Sequence, residues 1–186
     1  DDEDIADAAR EAGANVPFIR PRKLATDDIP VIAAFAHAAE YWRDEHGKPT
    51  YTIGLQPTSP FNTGGDIDAA VEKIRATGCD SVVSVERVTE THPYRAYRLD
   101  GDRVKPIEGL TVTEPDQRQD RPDVYGFTGA IYLRQSKLLF EWDGSDFGLG
   151  EDVRAVVQSG RSTVEIDTEF QLELARALAA YDGPET

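Results

Sequence analysis

Between Tyr51 and Val85 the hydrophobic pattern changes period twice in quick succession. Tyr51 to Leu55 is an apolar run short enough to be a buried strand. Ile67, Ala70, Val71 and Ile74 then share one face of a helix that begins at Asp66 and stops before Gly78. Ser81-Val82-Val83-Ser84-Val85 follows at once, apolar on both faces, as strands buried within parallel sheets are. Such a strand must be covered from both sides, and the helix between the two runs supplies one cover.

The alternation extends upstream. Asp1 to Asp4 followed by Ile5, Ala8, Ala9 and Ala12 predicts a helix with an acidic first turn, closed by Gly13. Val16-Pro17-Phe18-Ile19 is a short apolar strand candidate, and Asp27, Asp28 and Pro30 open a second helix running to about Gly47. Helix, strand, helix, strand, helix, strand is the order of an α/β fold with a mainly parallel sheet. From Glu86 to Tyr125 the pattern turns polar and arginine-rich, and Tyr94 to Leu99, Asp100-Gly101-Asp102 and Val104-Lys105-Pro106 predict a hairpin within an inserted arm. Ala130 to Leu133 restores a core strand, Val164 to Thr168 is expected to supply a last short one, and Phe170, Leu174, Ala177, Leu178 and Tyr181 stripe a closing helix. A length of 186 residues fits a single domain.

Charge and cysteine content remove several function classes. A net charge of −15 leaves no basic footprint for duplex nucleic acid. The lone Cys79 and three scattered histidines offer neither an intrachain disulfide nor zinc-ligand spacing. No apolar run reaches the roughly 18 residues of a membrane span, and no signal peptide is visible, so a cytoplasmic protein without membrane contact is expected. Aspartate supplies 20 of the 35 acidic residues and lysine only five of the 20 basic ones, the surface expected of a halophilic protein in concentrated salt, where screening removes self-repulsion, with an ordinary acidic mesophilic protein as the alternative.

Ligands of open α/β sheets bind beyond the carboxyl ends of the strands, which directs attention to the loops after Leu55, Val85, Leu133 and Ile166. Gln56-Pro57-Thr58-Ser59-Pro60 offers an amide and two hydroxyls there, or simply makes a turn. Glu165-Ile166-Asp167 at a strand end would point two carboxylates the same way, a pair able to hold Mg²⁺ together with substrate phosphates. Asp167 or Thr168 could equally cap the last helix.

These segments carry a resemblance. Arg20-Pro21 with Leu24 to Asp27, Leu55 to Pro60, Asp66-Ile67, Ser81 to Val85, Arg118-Gln119-Asp120, Gly129-Ala130-Ile131-Tyr132 and Ile166 to Glu169 stand in the order and approximate spacing of the acylneuraminate cytidylyltransferases, the CMP-sialic acid synthetases. The resemblance implies a three-layer, Rossmann-like nucleotidyltransferase fold with a small dimerisation arm at about residues 86–125. It implies Mg²⁺-dependent transfer of CMP from CTP to a sialic-acid-like 2-keto sugar acid of the neuraminate, legionaminate or pseudaminate type, with release of pyrophosphate, by a homodimer. By position, Arg20 would lie against the nucleotide, Gln56, Arg95, Arg118 and Thr128 on the sugar side, and Glu165 with Asp167 on the metal as the catalytic carboxylates. His92 is the one histidine near the proposed site, with a structural role the more ordinary expectation.

Three departures accompany the resemblance. The family opens with a strand and a Gly-rich loop that cradles the CTP phosphates, whereas this sequence starts beyond them. Cytidylyl transfer is therefore expected to need roughly 40 to 50 upstream residues, about a βα unit and the next strand. Gly126-Phe127-Thr128 stands where the family usually has Arg, any residue, Asn, and Glu165 and Gln171 stand where Asp is common. The rival expectations are a non-catalytic homologue that binds a sugar acid or dimerises, and another sugar nucleotidyltransferase.

Overall fold

A computed structural model describes residues 1–89, 91–113 and 117–181. Helix α1 (Glu3–Glu11) is capped by the Asp2 carboxylate, which accepts from the Asp4 and Ile5 amides, and a connecting segment leads to α2 (Val31–His46). Strand β1 (Tyr51–Leu55), α3 (Gly64–Thr77) and β2 (Ser81–Arg87) follow as the hydrophobic periods require. Helix α3 starts at Thr63, whose hydroxyl accepts from the Asp66 amide while the Asp66 carboxylate accepts from the Thr63 amide. It ends at Gly78, left-handed at φ +68°. Strands β3 (Tyr97–Asp100) and β4 (Arg103–Pro106) form the expected hairpin in the arm. Strand β5 (Tyr125–Gln135), the short α4 (Lys137–Phe140), β6 (Val153–Gln158) and α5 (Glu169–Ala179) complete the order.

The main sheet runs β1-β5-β2-β6, and helices cover both faces. Successive strand residues alternate faces, so neighbouring positions on β1 show which helix lies where. Ile53 packs with Ala70, Ile74, Cys79, Val82, Ile131 and Leu133 beneath α3. Gly54, one residue on, faces α2 instead, and a Cβ there would lie 2.5 Å from Phe35 Cζ, so only glycine lets that helix settle at this height. A smaller cluster of Ile32, Ala39 and Leu139 joins α2 to α4 on this second face. Lys73 Nζ of α3 donates to the Ala155 carbonyl and ties the helix over β6.

This is the expected three-layer α/β arrangement, with β1, β2 and β6 all pointing one way. Strand β5 runs against them between β1 and β2, so among the described residues β2 with β6 is the one parallel pair of the sheet. The reversal moves the loop after Leu133 to the amino edge of the sheet, where the Gln135 and Ser136 amides donate to the Asp80 and Thr50 carbonyls. It leaves the start of β5 at the ligand-binding edge instead.

Three further expectations are corrected. Val164 to Thr168 joins no strand of the sheet and bends at Asp167 and Thr168; the last strand is Val153–Gln158, whose apolar pattern is broken by Arg154, which bonds Asp152 at the exposed edge. Val16 to Ile19 is not a strand, because Phe18 is drawn onto α2 between His37 and Tyr41, with ring centroids 5.0 and 4.8 Å away. The closing helix forms, but Phe170 and Leu174 of its stripe face solvent and Ala175 alone is buried. Cys79 is buried and unpaired, and among the described residues no helix is long and apolar enough to cross a membrane.

Candidate active site

The carboxyl ends of β1, β2 and β6 and the amino end of β5 meet at one edge of the sheet. Gln56 leaves β1 into a tight turn in which the Ser59 amide donates to the Gln56 carbonyl. The next link is long-range: the Ile166 amide donates to the Thr58 carbonyl at 2.8 Å, seating the Glu165-Ile166-Asp167 segment against the Gln56 loop. Two stretches more than a hundred positions apart in the chain thus line one site.

Capping of α5 falls to Thr168, whose hydroxyl accepts from the Gln171 amide. The Gln171 side-chain oxygen in turn accepts from the Asp167 amide and the Thr168 hydroxyl. Asp167 contributes only its backbone to this arrangement, and its exposed carboxylate is committed to no cap.

Glu165 is half-buried, and burial pushes its carboxyl above the usual carboxylate range, with the charges of Asp167 and Glu86 adding to the effect. Asp167 and Glu86, the latter at the end of β2, thus lie close enough for their charges to act on Glu165. Among the described residues no cation pairs with Glu165 or Asp167, and no group of three His, Cys, Asp or Glu side chains is arranged to hold a metal. Two repelling carboxylates beside an open edge fit a hard divalent cation whose remaining ligands are water and substrate phosphates. They do not fit a closed all-protein metal cage.

Gly129 is the floor of this cluster. Its φ of +73° is left-handed, and a Cβ there would stand 3.1 Å from Glu165 Oε1 and 3.9 Å from Gln56 Nε2. Gln56, Gly129 and Glu165 thus lie together at this edge. Tyr132 lies on the α2 face of β5 within the field of both Glu165 and Arg134. Burial, reinforced by Glu165 and opposed by Arg134, raises its phenol, so Tyr132 presents a hydroxyl proton at neutral pH.

Arg134 itself is almost wholly buried, its guanidinium 5.6 Å from the Phe35 ring centre and 5.9 Å from that of Tyr132. Burial lowers its pKa to about 10, opposed by the charge of Tyr132. The sequence marks Tyr132 as part of a core strand and of the family block Gly129 to Tyr132, without a role of its own, and gives no role to Arg134. The signal available was the charged residue two positions on, which must share the tyrosine's face within an otherwise apolar strand.

The other expected residues make their own contacts outside this cluster. Arg118 Nη2 donates to the Thr89 carbonyl at 2.7 Å, and with Arg87, His92, Arg121 and Asp123 it lines a cavity of about 390 Å³ where the arm meets the end of β2. His92 is buried there in a structural role: Nδ1 accepts from the Tyr94 amide, so Nε2 carries the proton that it gives to the Pro122 carbonyl. Arg95 is exposed in a short turn of the arm. Arg20 pairs with Asp1 at 2.8 Å. Thr128 is buried below the surface, its hydroxyl held between Ser84 and Gln158.

No family profile matches the chain. Over 181 residues it is 30% identical to the CMP-N,N′-diacetyllegionaminic acid synthase of Legionella pneumophila, an alignment that spans 96% of this chain and 75% of that protein. Over 178 residues it is 24% identical to the pseudaminic acid cytidylyltransferase of Campylobacter jejuni, spanning 96% and 75%. In three dimensions it is similar to a CMP:2-keto-3-deoxy-manno-octonic acid synthetase solved with CTP, at a TM-score of 0.64 and 14% identity, covering 97% of this chain and 78% of the other. The fold of the third and the near end-to-end alignment with the first agree with the ordered blocks from Arg20 to Glu169: the chain belongs to the acylneuraminate cytidylyltransferase family of nucleotidyltransferases.

Proposed function

We propose that the protein transfers CMP from CTP to the anomeric hydroxyl of a sialic-acid-like 2-keto sugar acid, releasing pyrophosphate. The observation that carries this reading is the convergence of Gln56, Gly129 and Glu165-Ile166-Asp167 at the carboxyl edge of the sheet, in a chain whose curated relatives are named for this chemistry. Legionaminate and pseudaminate are the first acceptors to try, with neuraminate beside them.

In this reading Glu165 and Asp167 hold Mg²⁺, which when bound supplies charge neutralisation at the phosphates. The protein's own part is positioning. Gln56 offers an amide to the sugar, Gly129 keeps the floor free of a side chain, and Tyr132 offers a hydroxyl proton. Nucleotidyl transfer by in-line attack demands chiefly such alignment. Arg20 serves the nucleotide, and Arg95 and Arg118 the sugar carboxylate. The arm carrying the last two is the contact of a homodimer, and light scattering reads that state directly. A −15 chain repels anionic substrates in dilute buffer, so the assay belongs in molar salt, where the Debye length is about 3 Å.

The test is pyrophosphate release by the full-length protein given Mg²⁺, each nucleoside triphosphate in turn, and a panel of 2-keto sugar acids. The expected outcome is release with CTP and a nine-carbon-type acid, strongly preferred over UTP or ATP. Release with sugar 1-phosphates instead would identify another sugar nucleotidyltransferase. Saturable sugar-acid binding without release would identify the non-catalytic homologue.

A further inference from the structure

Pairing between β2 and β5 breaks near the active-site edge: Val83 faces Tyr132, but Val85 faces Phe127. Two steps along β2 are matched by five along β5, so Thr128 to Ile131 bulge out of the ladder, with left-handed Gly129 in the middle. Bulges of this kind re-aim the chain beside active sites and need something to fill the gap.

Here the gap is filled by side chains. The Ile131 amide donates to Ser84 Oγ at 2.9 Å, and Ser84 Oγ lies 2.6 Å from Thr128 Oγ1. Thr128 Oγ1 is 2.8 Å from Gln158 Oε1, Gln158 Nε2 donates to Asn62 Oδ1 at 2.9 Å, and Asn62 Nδ2 donates to the Ala130 carbonyl at 3.2 Å. The proton count fixes a direction. Gln158 Oε1 can only accept, so Thr128 spends its one proton there and must receive that of Ser84. The chain of bonds starts at the Ile131 amide and returns to the adjoining Ala130 carbonyl, and Ser84, Thr128 and Gln158 are each at most 4% exposed. Every member is satisfied, the condition under which a buried polar network rigidifies what it holds.

We propose that Ser84, Thr128, Gln158 and Asn62 are positioning residues that lock the β5 bulge and thereby set the height of Gly129 against Gln56 and Glu165, fixing the sugar-acid side of the site. None of the four needs to touch substrate. Thr128, expected from its place before Gly129 to meet the sugar, acts from below it. The inference rests on the cytidylyltransferase reading and predicts a specific asymmetry, because the network holds the backbone on either side of Gly129, whereas the Glu165-Ile166-Asp167 segment is anchored separately, through the Ile166 amide to the Thr58 carbonyl.

Thr128→Val keeps shape and removes the hydroxyl. In the full-length protein it is expected to raise KM for the sugar acid at least tenfold, with KM for CTP within twofold of wild type, whereas Thr128→Ser keeps both within threefold. Asn62→Ala, in a half-buried loop, reads the same asymmetry should Thr128→Val fail to fold. Unchanged sugar-acid KM in these variants, equal rises in both KM values, or a Thr128→Ser as impaired as Thr128→Val would overturn the proposal. A wild-type protein that transfers no CMP to any sugar acid would refute the underlying reading, an outcome visible before any variant is made.

Discussion

Asp167→Asn is expected to reduce CMP transfer by about a thousandfold, on the order of 4 kcal/mol of lost transition-state stabilisation, while the melting temperature stays within a few degrees of wild type. The expected functional loss follows from the proposed Mg²⁺ site, where Asp167 would be one of two charged ligands. The structural tolerance follows from the division of labour at the start of α5, where Thr168 is the cap and Asp167 contributes only its amide to Gln171. An asparagine keeps that amide. Steady-state rates across a Mg²⁺ titration, with thermal melts on the same samples, check both halves.

The same cluster sets the pH dependence. For the proposed Mg²⁺ site Glu165 must be ionised, and its carboxyl is held above the ordinary range by burial first and by Asp167 and Glu86 after that. Activity should therefore fail on acidification earlier than an ordinary carboxylate would dictate. Glu86→Gln removes one repelling charge, eases ionisation of Glu165 and moves the acid limb of kcat/KM to lower pH. A limb displaced upward would place the controlling group elsewhere.

Gly129→Ala is the second large effect. A non-glycine residue at φ +73° costs about 1–2 kcal/mol in backbone conformation alone. The added methyl would stand 3.1 Å from Glu165 Oε1, and the carboxylate rather than the β5 backbone would give way, since the backbone on either side is pinned by the buried hydrogen-bond network. Moving the proposed metal ligand by even part of an ångström is expected to cost about a hundredfold in kcat, in line with the penalty for misplaced reacting groups. The melting temperature should fall by several degrees as well. Wild-type kcat in the alanine variant would show that Glu165 does not hold the metal.

Helices α1, α2 and α3 and strands β1 and β2 were legible because each combines a clear hydrophobic period with a stop signal such as Gly13, Gly47 or Gly78. The direction of β5 was not, because an apolar run looks the same read either way, and only the pairing of Tyr51 with Gln135 reveals that it runs backwards. Strand β6 was missed because an edge strand keeps charged residues such as Arg154. Within the site, the carboxylates and Gln56 could be found because their segments carry a family pattern. The network beneath them could not, because Ser84, Thr128, Gln158 and Asn62 are ordinary residues whose meeting depends on a bulge in the ladder.

The most direct test of the central claim follows the α-phosphorus of CTP by ³¹P NMR in the presence of the protein, Mg²⁺, molar salt and a legionaminate- or pseudaminate-type acid. Cytidylyl transfer should deplete the CTP resonances with matched growth of a CMP-sugar phosphodiester signal and free pyrophosphate, absent when Asp167→Asn replaces the wild type. Persistence of intact CTP with every 2-keto sugar acid, or its breakdown to free CMP without a phosphodiester product, would contradict it.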